Sequence, residues 1–224
     1  MSRLHFHEFP VKRHPKRPHL ITSPSPFPTA QQRRNTHAAK RDAVLRAAVQ
    51  TFNERGFHQT SLDDVAARLG ISKPTIYHYL GNKDQVLLEC VTIGLKQLRE
   101  AAEASRSVPG TGADRLLSFL VHYAELIMDD FGRCVIRTAD EALAPDSRKR
   151  FRALKRTIDT AMRTLIAEAI ADGSIAPCDP KLLAFALAGA LNWPARWHDP
   201  DGAQTPEQIA RHLVSVLASG FLRR

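Results

Sequence analysis

From Asn35 onward, apolar and polar positions follow one another with a helical period almost to the end of the chain. In "RDAVLRAAVQTFNERG", Val44, Leu45, Ala48, Val49 and Phe52 share one face, and Gly56 follows as a stop. A long helix is predicted from near Asp84 to the "VPGTG" break, and further helices over about 113–130, 132–143, 146–172, 180–197 and 205–222. Their punctuation is "DDFG", "LAPDS", "ADGSIAPCDP" and "HDPDGAQTP". No stretch sustains the alternation a strand requires, so the expected fold is all-α.

Between the first helix and the long one lies "SLDDVAARLGISKPTIYHYL", where one amphipathic segment ends and another begins within three residues. Ser61 is a good N-cap, and Asp63 and Asp64 sit in the positive first turn. Leu62, Val65, Ala66 and Leu69 recur at i, i+3, i+4 and i+7 and form one buried stripe. Gly70 can take the left-handed conformation that ends a helix. Ser72 caps the second segment, and Pro74 is tolerated there because first-turn amides have no partner inside the helix. In that second helix Ile76 and Leu80 point inward. Lys73, Pro74, Thr75, Tyr77 and His78 remain outward or flanking, an unusual concentration of donors and acceptors on one short face. A first helix that braces a second, so that the second enters a DNA major groove, accounts for both the break and that face.

Charge sharpens this. The formal net charge is +9. Residues 1–30 carry five basic groups against one acidic, and residues 31–83 carry nine against four. The remaining residues hold eighteen of each sign, so all the excess lies in the first 83 positions, as a polyanion-binding head on a neutral body requires. The proline-rich run "HPKRPHLITSPSPFP" has too few apolar residues to offset its ordering entropy and is expected to be disordered. Cys90, Cys134 and Cys178 are far apart with no CxxC pair, which argues against a disulfide scaffold or a metal site. The longest apolar run, "LLAFALAGALNW", is too short to span a bilayer. A cytoplasmic protein with no membrane association, metal or cofactor is expected.

Over Arg41 to Leu88 the chain resembles the TetR family of bacterial transcriptional regulators, most specifically in "VAARLGISKPTIYHYL" and the trailing "NKDQVL". The resemblance implies that Lys73, Pro74, Thr75 and Tyr77 face base edges. It implies that Tyr79, Lys83 and the Thr60–Ser61 corner hold phosphates. Leu80 stands where the family often has phenylalanine, and Gly81 implies a looser link to the long helix. The expected organisation is a disordered basic extension over 1–34, a helix-turn-helix domain over 35–83 and a helical ligand-binding and dimerisation domain over 84–224.

In the body, "KLLAFALAGALNW" is apolar nearly all round. With the last helix it predicts a homodimer seam built on Leu183, Ala184, Leu187, Ile209, Leu213, Val216, Leu217 and Gly220. A ligand pocket is expected among Phe119, His122, Tyr123 and Leu126, with Asn192, Trp193 and Trp197 at the end of "NWPARW". That ending is similar to an element of a TetR subgroup that includes regulators of fatty-acid and acyl-CoA metabolism. Arg148, Arg152, Lys155 and Arg156 lie on one helical face, where arginines could take the phosphates of a coenzyme A thioester. The expected function is thus a ligand-responsive repressor that binds a palindromic operator as a dimer. An architectural DNA-binding protein without an effector is the alternative. An enzyme in the body finds no support, since G-x-S-x-G, HExxH and phosphate-loop motifs are all missing.

Overall fold

The computed structural model describes residues 30–219, and among these every regular element is helical. The expected disorder of the N-terminal extension falls on residues 1–29, outside the described residues, except that helix α1 (Ala30–Arg55) starts inside it, before the boundary at 34. Helices α2 (Leu62–Leu69) and α3 (Lys73–Leu80) complete a three-helix head. Its core is Leu45, Ala48, Val49 and Phe52 of α1 against Leu62, Val65 and Ala66 of α2 and Ile76 and Leu80 of α3.

Local chemistry fixes the corner between α2 and α3. The Ser61 side chain accepts the Asp64 amide, and the Asp64 carboxylate accepts the Ser61 amide, a closed capping box. Gly70 sits at φ 63°, a left-handed position where a Cβ would be strained. Its amide and that of Ile71 then reach back to the last carbonyls of α2.

Helix α4 (Lys83–Ser105) carries the chain from the head into the body. The link at Gly81 is tighter than the sequence implies. The Gly81 amide donates to the Tyr77 carbonyl at 3.0 Å, and Asn82 caps α4 in a second capping box with Gln85. Helices α5 (Gly112–Met128), α6 (Asp130–Arg137) and α7 (Pro145–Ala171) pack against α4. Gly94 lets α4 and α6 approach closely, because a Cβ there would stand 2.7 Å from the Phe131 carbonyl oxygen.

Two boundaries differ from the periodic reading. The helix expected over 132–143 stops at Arg137, and a single 3-10 turn over Asp140–Ala142 leads into α7. The helix expected over 180–197 divides into α8 (Pro180–Asn192) and α9 (Pro194–Trp197), since proline offers no amide to continue the ladder. Helix α10 (Pro206–Ser219) closes the body against α5. No helix among the described residues is long and apolar enough to cross a membrane.

Candidate nucleic-acid interface and ligand cavity

The outer face of α3 is built by what lies beneath it. Ile76 is fully buried and Leu80 nearly so, while Tyr77 between them is 50% exposed. Lys73, Pro74 and His78 are exposed alongside it, and Thr75 and Tyr79 are half-buried. The Thr75 hydroxyl shares a 2.8 Å hydrogen bond with the Ser72 hydroxyl. The Tyr79 ring leans on His37 of α1, with ring centroids 4.9 Å apart, which fixes it beside the face. Lys73 is held over α2 by an ion pair with Asp63, whose hydrogen bond and charge raise the lysine above its ordinary pKa. Its ammonium is therefore charged throughout the physiological range.

One of the expected phosphate contacts is corrected, and a second is engaged within the head. Thr60 is buried, and its hydroxyl donates inward to the Gly56 carbonyl at 2.9 Å, closing the turn after α1. The Lys83 ammonium lies 4.2 Å from the centre of the Phe57 ring and close to the His58 carbonyl, and burial lowers its pKa. Both side chains fasten the α1–α2 turn. Ser61 is exposed, with its hydroxyl and amide engaged in the capping box.

In the body, a cavity of about 200 Å³ lies among α4, α5, α6, α7 and α8. Leu95, Leu98, Ile158 and Met162 give it apolar walls, and Lys155 and Asp159 stand at one side. Of the expected ligand residues, Tyr123 and Asn192 line it. The Tyr123 hydroxyl donates to Asn192 Oδ1 at 2.8 Å, and burial pushes the phenol up to about 12, so it remains a donor. Lys155 and Asp159 also border a second hollow together with Arg152 and Arg156, so the apolar cavity adjoins the basic face of α7.

The other expected ligand residues lie elsewhere. Phe119 is fully buried core, its ring edge-on to Tyr123. His122 is exposed, its Nδ1 satisfied by the Ser118 carbonyl. Leu126 packs partly buried against the core outside the cavity. Trp193 and Trp197 are exposed, four residues apart, Trp193 on the outer face of α8. Arg152 is engaged by Asp140, which Lys155 and Arg152 hold below the usual carboxylate range. Lys155 belongs to the basic face expected from the sequence, whereas Asp159 is not marked by it, since nothing on α7 alone shows which turn meets α4 and α8.

The expected seam residues divide as well. Ala184, Leu187 and Ile209 are buried within the protomer, and Leu183 and Leu213 are partly buried against its core. Val216 and Leu217 are exposed, and Gly220 lies outside the described residues. The open stripe of α8 is instead Leu182, Phe185, Gly189 and Trp193, at i, i+3, i+7 and i+11. A fully apolar helix offers no polar face from which its orientation can be read.

Head and body are joined by hydrogen bonds as well as by α4. Gln50 Nε2 and Asn53 Nδ2 of α1 donate to the Asp130 carboxylate and carbonyl at 2.9 and 2.8 Å, and Arg137 donates to the Asn53 carbonyl at 2.7 Å. Arg41 of α1 forms a two-pronged ion pair with Glu89 of α4.

Comparison with known proteins places this architecture. Residues 44–90 match the family described as bacterial regulatory proteins, tetR family, and residues 109–221 match the tetracyclin repressor-like C-terminal domain. The HTH-type transcriptional repressor KstR2 of Mycolicibacterium smegmatis is 24% identical over 82% of this chain and 91% of its own length. The crystal structure of the TetR family regulator PfmR from Thermus thermophilus superimposes with a TM-score of 0.73 at 28% identity, over 80% of this chain and 99% of that one. That of AibR in complex with isovaleryl coenzyme A and operator DNA does so with a TM-score of 0.69 at 26% identity, over 79% of this chain and 97% of that one. The chain belongs to the TetR family and is a DNA-binding transcriptional regulator.

Proposed function

We propose that the chain is a homodimeric repressor that binds a two-fold symmetric operator through α3 and is released by a short-chain acyl thioester of coenzyme A. The observation that carries the DNA reading is α3 itself, whose inner residues are sealed while Lys73, Pro74, Thr75, Tyr77 and His78 stand outward. Those groups suit base edges, and Tyr79 suits a flanking phosphate. Lys73 exchanges its Asp63 partner for DNA on binding. The dimer forms through the open face of α8 and the exposed part of α10, which would cover Leu182, Phe185 and Val216.

The effector class follows from an apolar cavity beside a cationic face. At about 200 Å³ the cavity is smaller than the roughly 300–1,000 Å³ of a drug-sized site, so it accepts a short apolar group and not a long chain. Tyr123 and Asn192 offer hydrogen bonds to the thioester, while Arg152, Lys155 and Arg156 suit its phosphates. The likeness to AibR, solved with isovaleryl coenzyme A and operator DNA, supports the same chemistry.

The test is fluorescence anisotropy of labelled upstream DNA with isovaleryl coenzyme A, palmitoyl coenzyme A and free coenzyme A as competing additions. Release by the short thioester alone is expected. Equal release by the long chain would sink the effector class, and no sequence-preferring complex would sink the regulator.

A further inference from the structure

A further hollow, separate from the effector cavity and from the basic face of α7, lies where the head meets the body. It is a cleft of about 520 Å³ between the C-terminal turn of α1, the α1–α2 turn, α6 and Arg196 of α9. Its charged lining is Arg55 from the head and Arg137 and Arg196 from the body, with no carboxylate among the lining residues. Asn53, His58 and Gln59 add polar groups from the head.

None of the three forms an ion pair among the described residues; Arg137 and Arg196 feel each other's charge, while Arg55 also stands near Asp64, whose carboxyl it helps to hold down. Arg137 is fixed by backbone carbonyls alone, donating to Ala195 at 2.9 Å, to Asn53 at 2.7 Å and to Arg196 at 3.5 Å. Burial and then repulsion from Arg133 and Arg196 lower its pKa. Like charges gathered in a partly enclosed space raise the local potential, and an anion entering it recovers the energy that their proximity costs. Guanidinium groups pair with phosphate oxygens two at a time, which fits this donor set.

We infer that the head–body cleft is a binding site for a small organic phosphate, held by Arg55, Arg137 and Arg196. The ligand touches both domains at once. It therefore ties the head to the body, and whatever factor it places on operator affinity DNA places on its own. The site is separate from the basic face of α7, so its occupancy adds a second input to the regulator whatever the body cavity takes.

Isothermal titration calorimetry of the full chain with inorganic pyrophosphate tests this. Arg55 and Arg196 are exposed and their side chains make no hydrogen bond among the described residues, so Arg55→Gln and Arg196→Gln should fold, and unchanged melting curves verify it. Saturable binding is expected, weakened about tenfold by either substitution, the loss of one charge-assisted contact. The double variant Arg152→Gln, Arg156→Gln should bind pyrophosphate as the wild type does. Absence of saturable heat overturns the inference, as does a loss confined to the α7 variant. If the cleft variants instead lower affinity for non-specific duplex and its salt dependence while pyrophosphate binding stays intact, the arginines serve the DNA backbone and the proposal fails.

Discussion

Asp84, in the first turn of α4, accepts the hydroxyl of Ser147, in the first turn of α7, at 2.6 Å. Its other oxygen takes the Ala144 amide at 2.7 Å. The helix that leaves the recognition helix is thereby tied to the helix whose later turns carry Lys155, Ile158, Asp159 and Met162 along the body cavity. A displacement of α7 pulls directly on Asp84, only four residues beyond the end of α3. Asp84→Ala removes both hydrogen bonds at a partly exposed site. The expected cost is about 1–2 kcal/mol of unfolding free energy, read from the midpoint of urea denaturation at constant slope. Amide exchange in α3 should quicken at the same time, and an unchanged midpoint would show that the tie carries no energy.

Ile76 and Tyr77 are neighbours with opposite duties. Tyr77→Ala removes a half-exposed ring, so stability should move by less than about 0.5 kcal/mol. Discrimination between operator and scrambled duplex should fall by about 1–3 kcal/mol, read by competition anisotropy. Ile76→Ala should do the reverse, costing about 2–5 kcal/mol of stability because a fully buried side chain leaves a cavity under α3. A Tyr77 variant that keeps its preference for the operator would place the reading face elsewhere.

How much of this was visible in the sequence depends on how local its cause is. The head could be read because its instructions lie within a few residues of where they act. Ser61 caps α2 through Asp64, Gly70 ends it, and the Leu62–Leu69 stripe needs only helical spacing. Thr60 escapes the reading because it lies next to the right surface in sequence, and only the Gly56 carbonyl that its hydroxyl meets turns it away. The body cavity was half legible. Tyr123 and Asn192 come from one apolar and one aromatic-rich stretch, but Lys155 and Asp159 belong to a helix that reads as a solvated charged face until α4 and α8 are set against it. Trp193 and Trp197 escape the reading because an almost uniformly apolar run does not mark which of its faces stays outside.

Asp140 makes acid sensitivity predictable. Hydrogen bonds from Lys155 and then Arg152 hold its carboxylate below the ordinary aspartate value of about 3.9. A lowered folded-state pKa stabilises the protein above the ordinary value, and that contribution is lost as pH falls from there through the folded-state value. Both cationic partners are substantially exposed, which limits the neutral-pH cost of Asp140→Asn to about 1 kcal/mol or less. The gap between wild type and variant in denaturation experiments should close as the pH is taken below about 4. A gap that persists unchanged in acid would mean that Asp140 acts by shape and not by charge.

The α8 surface provides a test in which two nearby positions must behave differently. Leu182 is 65% exposed and Ala184 is 1% exposed, although both belong to the same apolar run. A carboxylate at position 182 enters water in the isolated protomer and leaves the fold intact. In a dimer that buries the outer face of α8 it is forced into an apolar seam beside its symmetry mate, where desolvation and like-charge repulsion both oppose it. Leu182→Glu should therefore give a folded monomer by light scattering, with helical content unchanged. Its affinity for a two-half-site operator should collapse toward that for a single half-site, since two tethered heads bind far more tightly than one. Ala184→Glu places the same charge in the protomer's own core, so it should lower stability by several kcal/mol at any protein concentration. A Leu182→Glu protein that remains dimeric would move the seam away from α8. An Ala184→Glu protein that folds normally but turns monomeric would show that Ala184 faces the partner.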